Sequence, residues 1–410
     1  MGMISKLAWR SIWRNKRRTI IGIVSITFGL AAALFFITLS NGVYYKMIQE
    51  GTRMLAGHVT IEHPEYRDAP AVDLFVENSV EMREQIERLP EVEKVKLIVA
   101  GSGVARSGTG SVGIAFMGIE PSQEVETSPI AKKMVSGEFL SDEDERVVII
   151  GSVLAKRLKL DIGKKMVLST NGVDGNLVEE LCRIKGIFKT GSDEIDGGYI
   201  LTPIKFARSL IQLPEDGSTQ IGIVVSKLER IKPIQRKLQK QYESKNVAVL
   251  RWQDVMPDLN AYIQVDRGAN LIFQGIIIGL VLFTIFNTIL MSVIERKREF
   301  AVTLALGTSP NSLQAQVFME SIYLGLIGVF FGTVVGGLIA WYYQVYGLDF
   351  SSMLSDDVTV SGMVVEPIFY ARATPGIFIA CGLIVFFSTV LLSLIPMRRA
   401  ANTPFSDVLR

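Results

Sequence analysis

Two cysteines and two histidines are all that the 410 residues contain. Cys182 and Cys381 fall in segments of very different character, which argues against a disulfide. His58 and His63 have Glu62 and Glu65 nearby, but the alternation in "HVTIEH" predicts a strand that sends the two rings to opposite faces. With no cysteine or third histidine close by, a zinc site is not supported. The acidic run "SDEDER" (Ser141 to Arg146) lacks the spacing of a calcium loop and reads as a solvated turn before a strand. No Gly-x-Ser-x-Gly elbow and no zincin motif occurs. The glycines of "AGSGVARSGTGSVG" lead into strand-like sequence with no helix after them, so they read as a hairpin and not a phosphate cradle. Gly163-Lys164 is followed by Lys165 and has no glycine at the offset a P-loop needs. These absences leave no recognisable enzyme site and exclude ATP hydrolysis by this chain.

Charge is also missing, in four places. No Asp, Glu, Lys or Arg occurs between Arg18 and Lys46, Arg267 and Glu295, Glu320 and Asp349, or Arg372 and Arg398. Each gap exceeds the roughly 20 apolar residues that cross a bilayer core. In lipid such runs must be helices, because unpaired backbone groups find no water there. The first gap is too long for a signal-peptide core, and no small-residue cleavage site precedes the next charges. The composition agrees: 49% hydrophobic and 20% charged residues, with mean hydropathy +0.33, describe neither a soluble domain nor a bare membrane bundle.

Lys and Arg placement orients the spans. Lys6, Arg10, Arg14, Lys16, Arg17 and Arg18 precede the first, Arg296, Lys297 and Arg298 lie between the second and third, and Arg398, Arg399 and Arg410 follow the fourth. The remaining loop carries Asp349, Asp356, Asp357 and Glu366 against Arg372. The expected fold is membrane α-helical, four transmembrane helices with both termini inside, carrying a large α+β extracytoplasmic domain between helices 1 and 2. Its segments are a cytoplasmic amphipathic helix 1–18, a span 19–42, the outer domain 43–266 and spans 270–294, 321–346 and 374–397. A cytoplasmic loop 295–320, an outer loop 347–373 and a cytoplasmic tail 398–410 complete the chain.

The outer domain alternates short β-like runs ("SVGIAFMGI", "RVVII", "KMVLST", "CRIKGIF", "IGIVVS") with helical periodicity in "SVEMREQIERLP" and "IKPIQRKLQKQYES". A division into two lobes is expected, with about 101–200 inserted into the rest. In the spans, Gly328, Gly332 and Gly336 recur at spacing four, and Gly275 and Gly279 form a second small-residue face. Such faces permit close helix packing, within the chain or between subunits. The first span offers Phe28, Leu34, Phe35, Phe36 and Leu39 with Gly22 and Gly29, an apolar surface suited to acyl chains or to bulk lipid.

The segment "ERKREFAVTLALGTSPNSL" between spans two and three resembles the signature loop of permeases of the MacB/FtsX-like class of ABC transporters. The start "LAWRSIWRNKRRTIIGIVSI" is similar to their basic N-terminal helix, and "IPMRRAANTPFSDVLR" to their basic tail. In the outer domain "GHVTIEHPEY", "FMGIEPSQE", "VVIIGSVLAKRLKLDIGKKMVL" and "GIFKTGSDEID" resemble lipoprotein-releasing (Lol-type) permeases. The resemblance implies that the cytoplasmic loop docks a separate ATPase subunit. Phe300, Leu304 and Leu306 are then expected to form an exposed apolar knob, with Glu295, Arg296, Arg298 and Glu299 fixing its register. Gly307 stops the element, and Ser309 as N-cap with Pro310 in the first turn starts the next helix. Anchoring of helix ends at the headgroups is the plainer reading of the same charges.

The resemblance further implies two ATPase copies that bind the ATP and Mg, with no cofactor in this chain. It implies a second permease copy, identical or a paralogue, a lipoprotein cargo, a periplasmic carrier and contact with membrane lipids, but no nucleic acid. The implied location is the bacterial inner membrane, and the implied function is ATP-driven lipoprotein release. The alternative is mechanotransmission or efflux acting on a periplasmic partner.

Overall fold

The computed structural model describes residues 2–54, 57–125, 128–350, 359–360, 363–364 and 368–401. Asp356, Asp357, Glu366 and the end of the basic tail, including Arg410, lie outside the described residues. The helices are α1 (Met3–Arg14), α2 (Lys16–Met54), α3 (Ser79–Glu87), α4 (Pro121–Glu124), α5 (Ser152–Leu158), α6 (Asp193–Gly198) and α7 (Ile204–Ile211). They continue with α8 (Ile231–Gln241), α9 (Trp252–Val255), α10 (Pro257–Glu295), α11 (Lys297–Ala305), α12 (Pro310–Tyr346) and α13 (Pro375–Ala401). Contacts divide the chain into two units. One comprises Met1–Tyr44, Gln264–Phe350 and Ile368–Arg410, the other Tyr45–Ile263 and Ser351–Pro367.

The first unit is helical. Four of its helices, α2, α10, α12 and α13, are long and apolar enough to cross a membrane. Their shared core gathers Ile26, Leu30 and Leu34 of α2, Val281, Ile285, Ile289 and Val293 of α10, Leu313 and Val317 of α12, and Val385 of α13. The stripe Gly328, Gly332 and Gly336 packs on α2. A Cβ at these glycines would lie 2.6 Å from Ile26, 2.9 Å from Leu30 and 2.8 Å from Leu34. This contact is therefore within the chain, and backbone approach requires the missing side chains. Gly275 and Gly279 have nothing within 4 Å, so of the two packings their spacing permits, the one within this chain is not made. The reason is angular: at about 100° per residue, Gly279 lies about 200° round α10 from Val281, which faces α2.

The second unit is built on a ten-stranded sheet. Its strands are β1 (Val59–Glu62), β2 (Val92–Ser107), β3 (Gly110–Ile119), β4 (Met134–Gly137), β5 (Val147–Gly151), β6 (Lys165–Asn171), β7 (Leu177–Phe188), β8 (Tyr199–Pro203), β9 (Gln220–Val225) and β10 (Ala248–Arg251). The path runs β10-β1-β9-β2-β3-β8-β5-β7-β4, with β6 pairing β2 and β7. The long β2 serves two groups. Val92–Ile98 pair antiparallel with β9, and Val104–Arg106 pair with β6 while β3 runs along the other edge. The β3–β8 and β5–β7 pairs are parallel, so the sheet is mixed. β1 is buried at all four positions, which explains its unbroken Val-Thr-Ile-Glu composition: Glu62 survives there because Arg67 grips its carboxylate at 2.6 and 2.8 Å and Gln220 donates at 2.8 Å.

The two histidines stand apart. His58 is buried and accepts from the Val225 N–H at 3.1 Å, while His63 pairs with Asn246 at 2.8 Å. Among the described residues no group of three potential metal ligands forms. The acidic run Ser141–Arg146 is a turn leading into β5, and the glycine-rich stretch is the β2–β3 hairpin.

A second buried charge pair tightens this unit. Lys96 on β2 meets Glu124 of α4 at 2.6 Å and donates to the Arg53 carbonyl in the last turn of α2 at 2.8 Å. Burial holds the Lys96 ammonium below the usual lysine range.

Candidate coupling site

The corner between α10 and α12 is where the sequence concentrates charge beside apolar spans. α10 ends at Glu295, Arg296 leaves helical geometry, and α11 occupies Lys297–Ala305. Gly307 then takes φ +92, a conformation that a side chain rarely adopts. Ser309 caps α12 by accepting from the Ser312 N–H, with Pro310 in the first turn, as its sequence predicts.

Ion pairs close this corner on itself. The Arg296 guanidinium donates to both oxygens of Glu320 on α12 at 2.8 and 3.0 Å, and approaches Glu299 at 3.4 Å. It also lies over the Phe300 ring, 4.8 Å from the centroid. Arg14, the last residue of α1, bonds both oxygens of Glu299 at 2.5 Å, and Arg18 bonds Glu295 at 3.0 Å. The bond from Arg14 holds the Glu299 carboxyl below the usual carboxylate range. Arg296 and Glu320 are both buried, so neither can be left alone without a large desolvation cost.

This geometry corrects the docking expectation at two residues. Phe300 is 2% exposed and belongs to the bundle core, so it is not a knob. Arg296 is buried too, and fixes the corner internally. The helical period explains both: Arg296 and Phe300 are one turn apart on the face toward α12, while Arg298 and Val302 point outward. Val302 is 59% and Leu306 83% exposed, with Leu304 half-buried between them. The exposed apolar surface is thus Val302 and Leu306, rimmed by Lys297, Arg298 and the half-exposed Glu299. Sequence reasoning missed Arg14, Val302 and Glu320. Glu320 had a signal, being an acid at the very edge of a charge-free run. Arg14 had none, because 285 positions separate it from its partner.

The aromatic face of α2 is also redistributed. Phe28 is 75% exposed, but Leu34 is fully buried, and Gly29 faces Val281 of α10. Phe35 packs on Tyr343 at 5.3 Å and Phe36 on Phe273 at 5.3 Å, while Leu39 is half-buried. The open surface is Phe28 with Ile20, Ile21 and Val24, and Phe36 is 37% exposed farther along the helix.

Comparison with known proteins fits this layout. The MacB-like periplasmic core domain family matches residues 19–241 and the FtsX-like permease C-terminal family matches residues 271–405. The chain is 24% identical to the lipoprotein-releasing system transmembrane protein LolC of Neisseria meningitidis serogroup B, across 100% of both chains. It is 19% identical to the lipoprotein-releasing protein LolE of Haemophilus influenzae, over 82% of this chain and 81% of that one. It is also 19% identical to the macrolide export ATP-binding/permease protein MacB of Nitrosomonas europaea, over 82% of this chain and 52% of that protein. With one of these family matches alone taking in over half of the 410 residues, the chain belongs to the MacB/FtsX-like family of ABC transporter permeases.

Proposed function

We propose that this chain is a permease subunit that lifts lipoproteins from the bacterial inner membrane and releases them toward the outer membrane. The observation that carries this reading is the end-to-end alignment with a lipoprotein-releasing permease. ATP and Mg bind to two copies of a separate ATPase subunit, and a second permease copy completes the complex. Both termini and α11 are cytoplasmic and the large unit is periplasmic, in keeping with the Lys/Arg asymmetry. Val302 and Leu306 seat in the ATPase subunit, and Arg298 and Glu299 set their register. Arg296, Glu320 and Phe300 make α11 rigid with α12, so that displacement of α11 moves the span. Acyl chains enter along the Phe28 face of α2, which offers them bulk and few polar atoms, and a periplasmic carrier accepts the cargo.

Depletion tests the cargo. Lipoproteins should accumulate in the inner membrane of depleted cells. An unchanged outer-membrane share, in cells without a paralogue, rejects lipoprotein release in favour of mechanotransmission. For topology, Ser141→Cys and Ser309→Cys should label from opposite sides of the membrane, and labelling from one side rejects the orientation.

A further inference from the structure

α1 carries two surfaces with different work to do. Ala8 and Ile12 are buried. Ser5 and Trp9 hold Tyr323 of α12, through a 2.6 Å hydrogen bond between hydroxyls and edge-on ring packing at 5.5 Å. Away from that seam Met3, Leu7 and Trp13 are exposed, Trp9 is half-exposed at its edge, and Lys6 and Arg10 are exposed among them. Helix geometry breaks at Asn15, and the next turn adds exposed Lys16 and Arg17. These four cations take part in none of the ion pairs among the described residues. No acidic residue precedes Glu50 in the sequence.

The chemistry of this face selects its partner. Exposed tryptophan and leucine beside Lys and Arg, on a helix that joins a membrane span, suit the headgroup layer. Unneutralised cations at that depth favour anionic over zwitterionic phospholipid. The apolar exposed Ile20, Ile21 and Val24 begin immediately after the cations, which sets the level of the hydrocarbon boundary. The same helix ends at Arg14, which grips Glu299 on α11, one turn from Val302.

We propose that α1 is an anionic-lipid-binding helix whose seating in the headgroups holds α11 in its docking position through the Arg14–Glu299 bond. The part played by α11 rests on the permease reading above; the lipid response of the clasp does not. The sign follows from helix physics. A helix of 12 residues is marginal in water, and α1 buries only Ala8 and Ile12 in the bundle. Anionic headgroups supply the missing order, which keeps Arg14 on Glu299. On a neutral surface α1 frays and α11 loses that anchor. By reciprocity, a closed clasp raises the affinity of α1 for the anionic surface by the same factor.

The test uses the full chain with Cys182→Ser, Cys381→Ser and a spin label at Leu306→Cys. It is placed in nanodiscs of phosphatidylcholine, alone or mixed with phosphatidylglycerol. The label should be markedly less mobile in the mixed discs. Two variants should abolish the difference: Arg14→Gln, which removes the clasp, and Lys6→Gln/Arg10→Gln/Lys16→Gln/Arg17→Gln, which removes the lipid contacts but keeps the clasp. In the complete complex, phosphatidylglycerol should tighten binding of the ATPase subunit by up to about fivefold, the most that a solvent-exposed ion pair transmits. A label equally mobile in both lipids overturns the proposal, as does an Arg14→Gln chain that responds like the parent. The label measurement needs no ATPase subunit, so it decides the clasp whatever becomes of the transport reading.

Discussion

Replacing Phe300 and replacing Leu306 should produce opposite kinds of failure, although the two residues lie six apart in one short element. Phe300 is 2% exposed and packs in the core shared by α2, α10, α12 and α13. Phe300→Ala removes most of that side chain and leaves a cavity, a loss of about 3–5 kcal/mol. Arg296 also loses the ring beneath it, worth about 0.5–2 kcal/mol in a desolvated setting. The variant should therefore unfold earlier on heating in detergent, whether or not an ATPase subunit is present. Leu306 is 83% exposed and buries almost nothing in this chain, so Leu306→Asp should leave the melting temperature nearly unchanged. In the docking proposed above, however, it would put a carboxylate into an apolar contact, at an expected cost of several kcal/mol of docking energy. Thermal unfolding of the isolated chain and co-purification of the ATPase subunit separate the two effects. The division of roles is refuted if Phe300→Ala keeps full stability yet loses the ATPase subunit, or if Leu306→Asp melts early and still binds it.

The remaining predictions concern packing and charge elsewhere. Gly332→Leu should destabilise the helical unit by more than about 1–3 kcal/mol, since a Cβ there already crowds Leu30; Gly275→Leu, with nothing within 4 Å, should leave the melting temperature of the single chain unchanged. Lys96→Met strands a buried carboxylate at Glu124 and should cost about 3–5 kcal/mol in denaturant titration, whereas pairing it with Glu124→Met should recover most of the loss. Burial, with Arg53 and Lys96 nearby, lowers the His58 pKa to about 4, so the fold keeps this ring neutral. Stability should be complete above about pH 6.5 and fall as pH drops toward 4, by roughly 3 kcal/mol from this group; His58→Gln should flatten that slope in pH-dependent melting.

The membrane spans were legible because hydrocarbon excludes charge absolutely enough to leave gaps in the sequence. The Ser309–Pro310 start of α12 was legible for a local reason, a cap and a fixed φ within two residues. The short strands were legible as β-like runs, but their pairing was not: β3 with β8 and β5 with β7 join residues far apart, and nothing in either strand names its neighbour. Phe300 was misread because a phenylalanine beside charges looks the same in sequence whether it meets a partner protein or its own bundle. The phase of α11 decides, and phase depends on where Arg296 breaks the helix. Gly275 and Gly279 show the same limit, since a spacing of four reports a face and not what covers it.

The charges at the corner divide by exposure, and that division carries the functional argument. Arg296 with Glu320 is buried, and charge there is satisfied inside the chain, by contacts a partner cannot improve. Arg14 with Glu299 and Arg18 with Glu295 are more open to water, where an ion pair is worth at most about 1 kcal/mol and can exchange partners. Lys297 and Arg298 are exposed, beside Val302 and Leu306. With the Glu299 carboxylate engaged by Arg14, a surface of two apolar side chains rimmed by these two cations selects an acidic-edged apolar pocket. The buried pair then ensures that whatever pushes on that surface moves α12 with it, because separating Arg296 from Glu320 would cost more than displacing the two helices together.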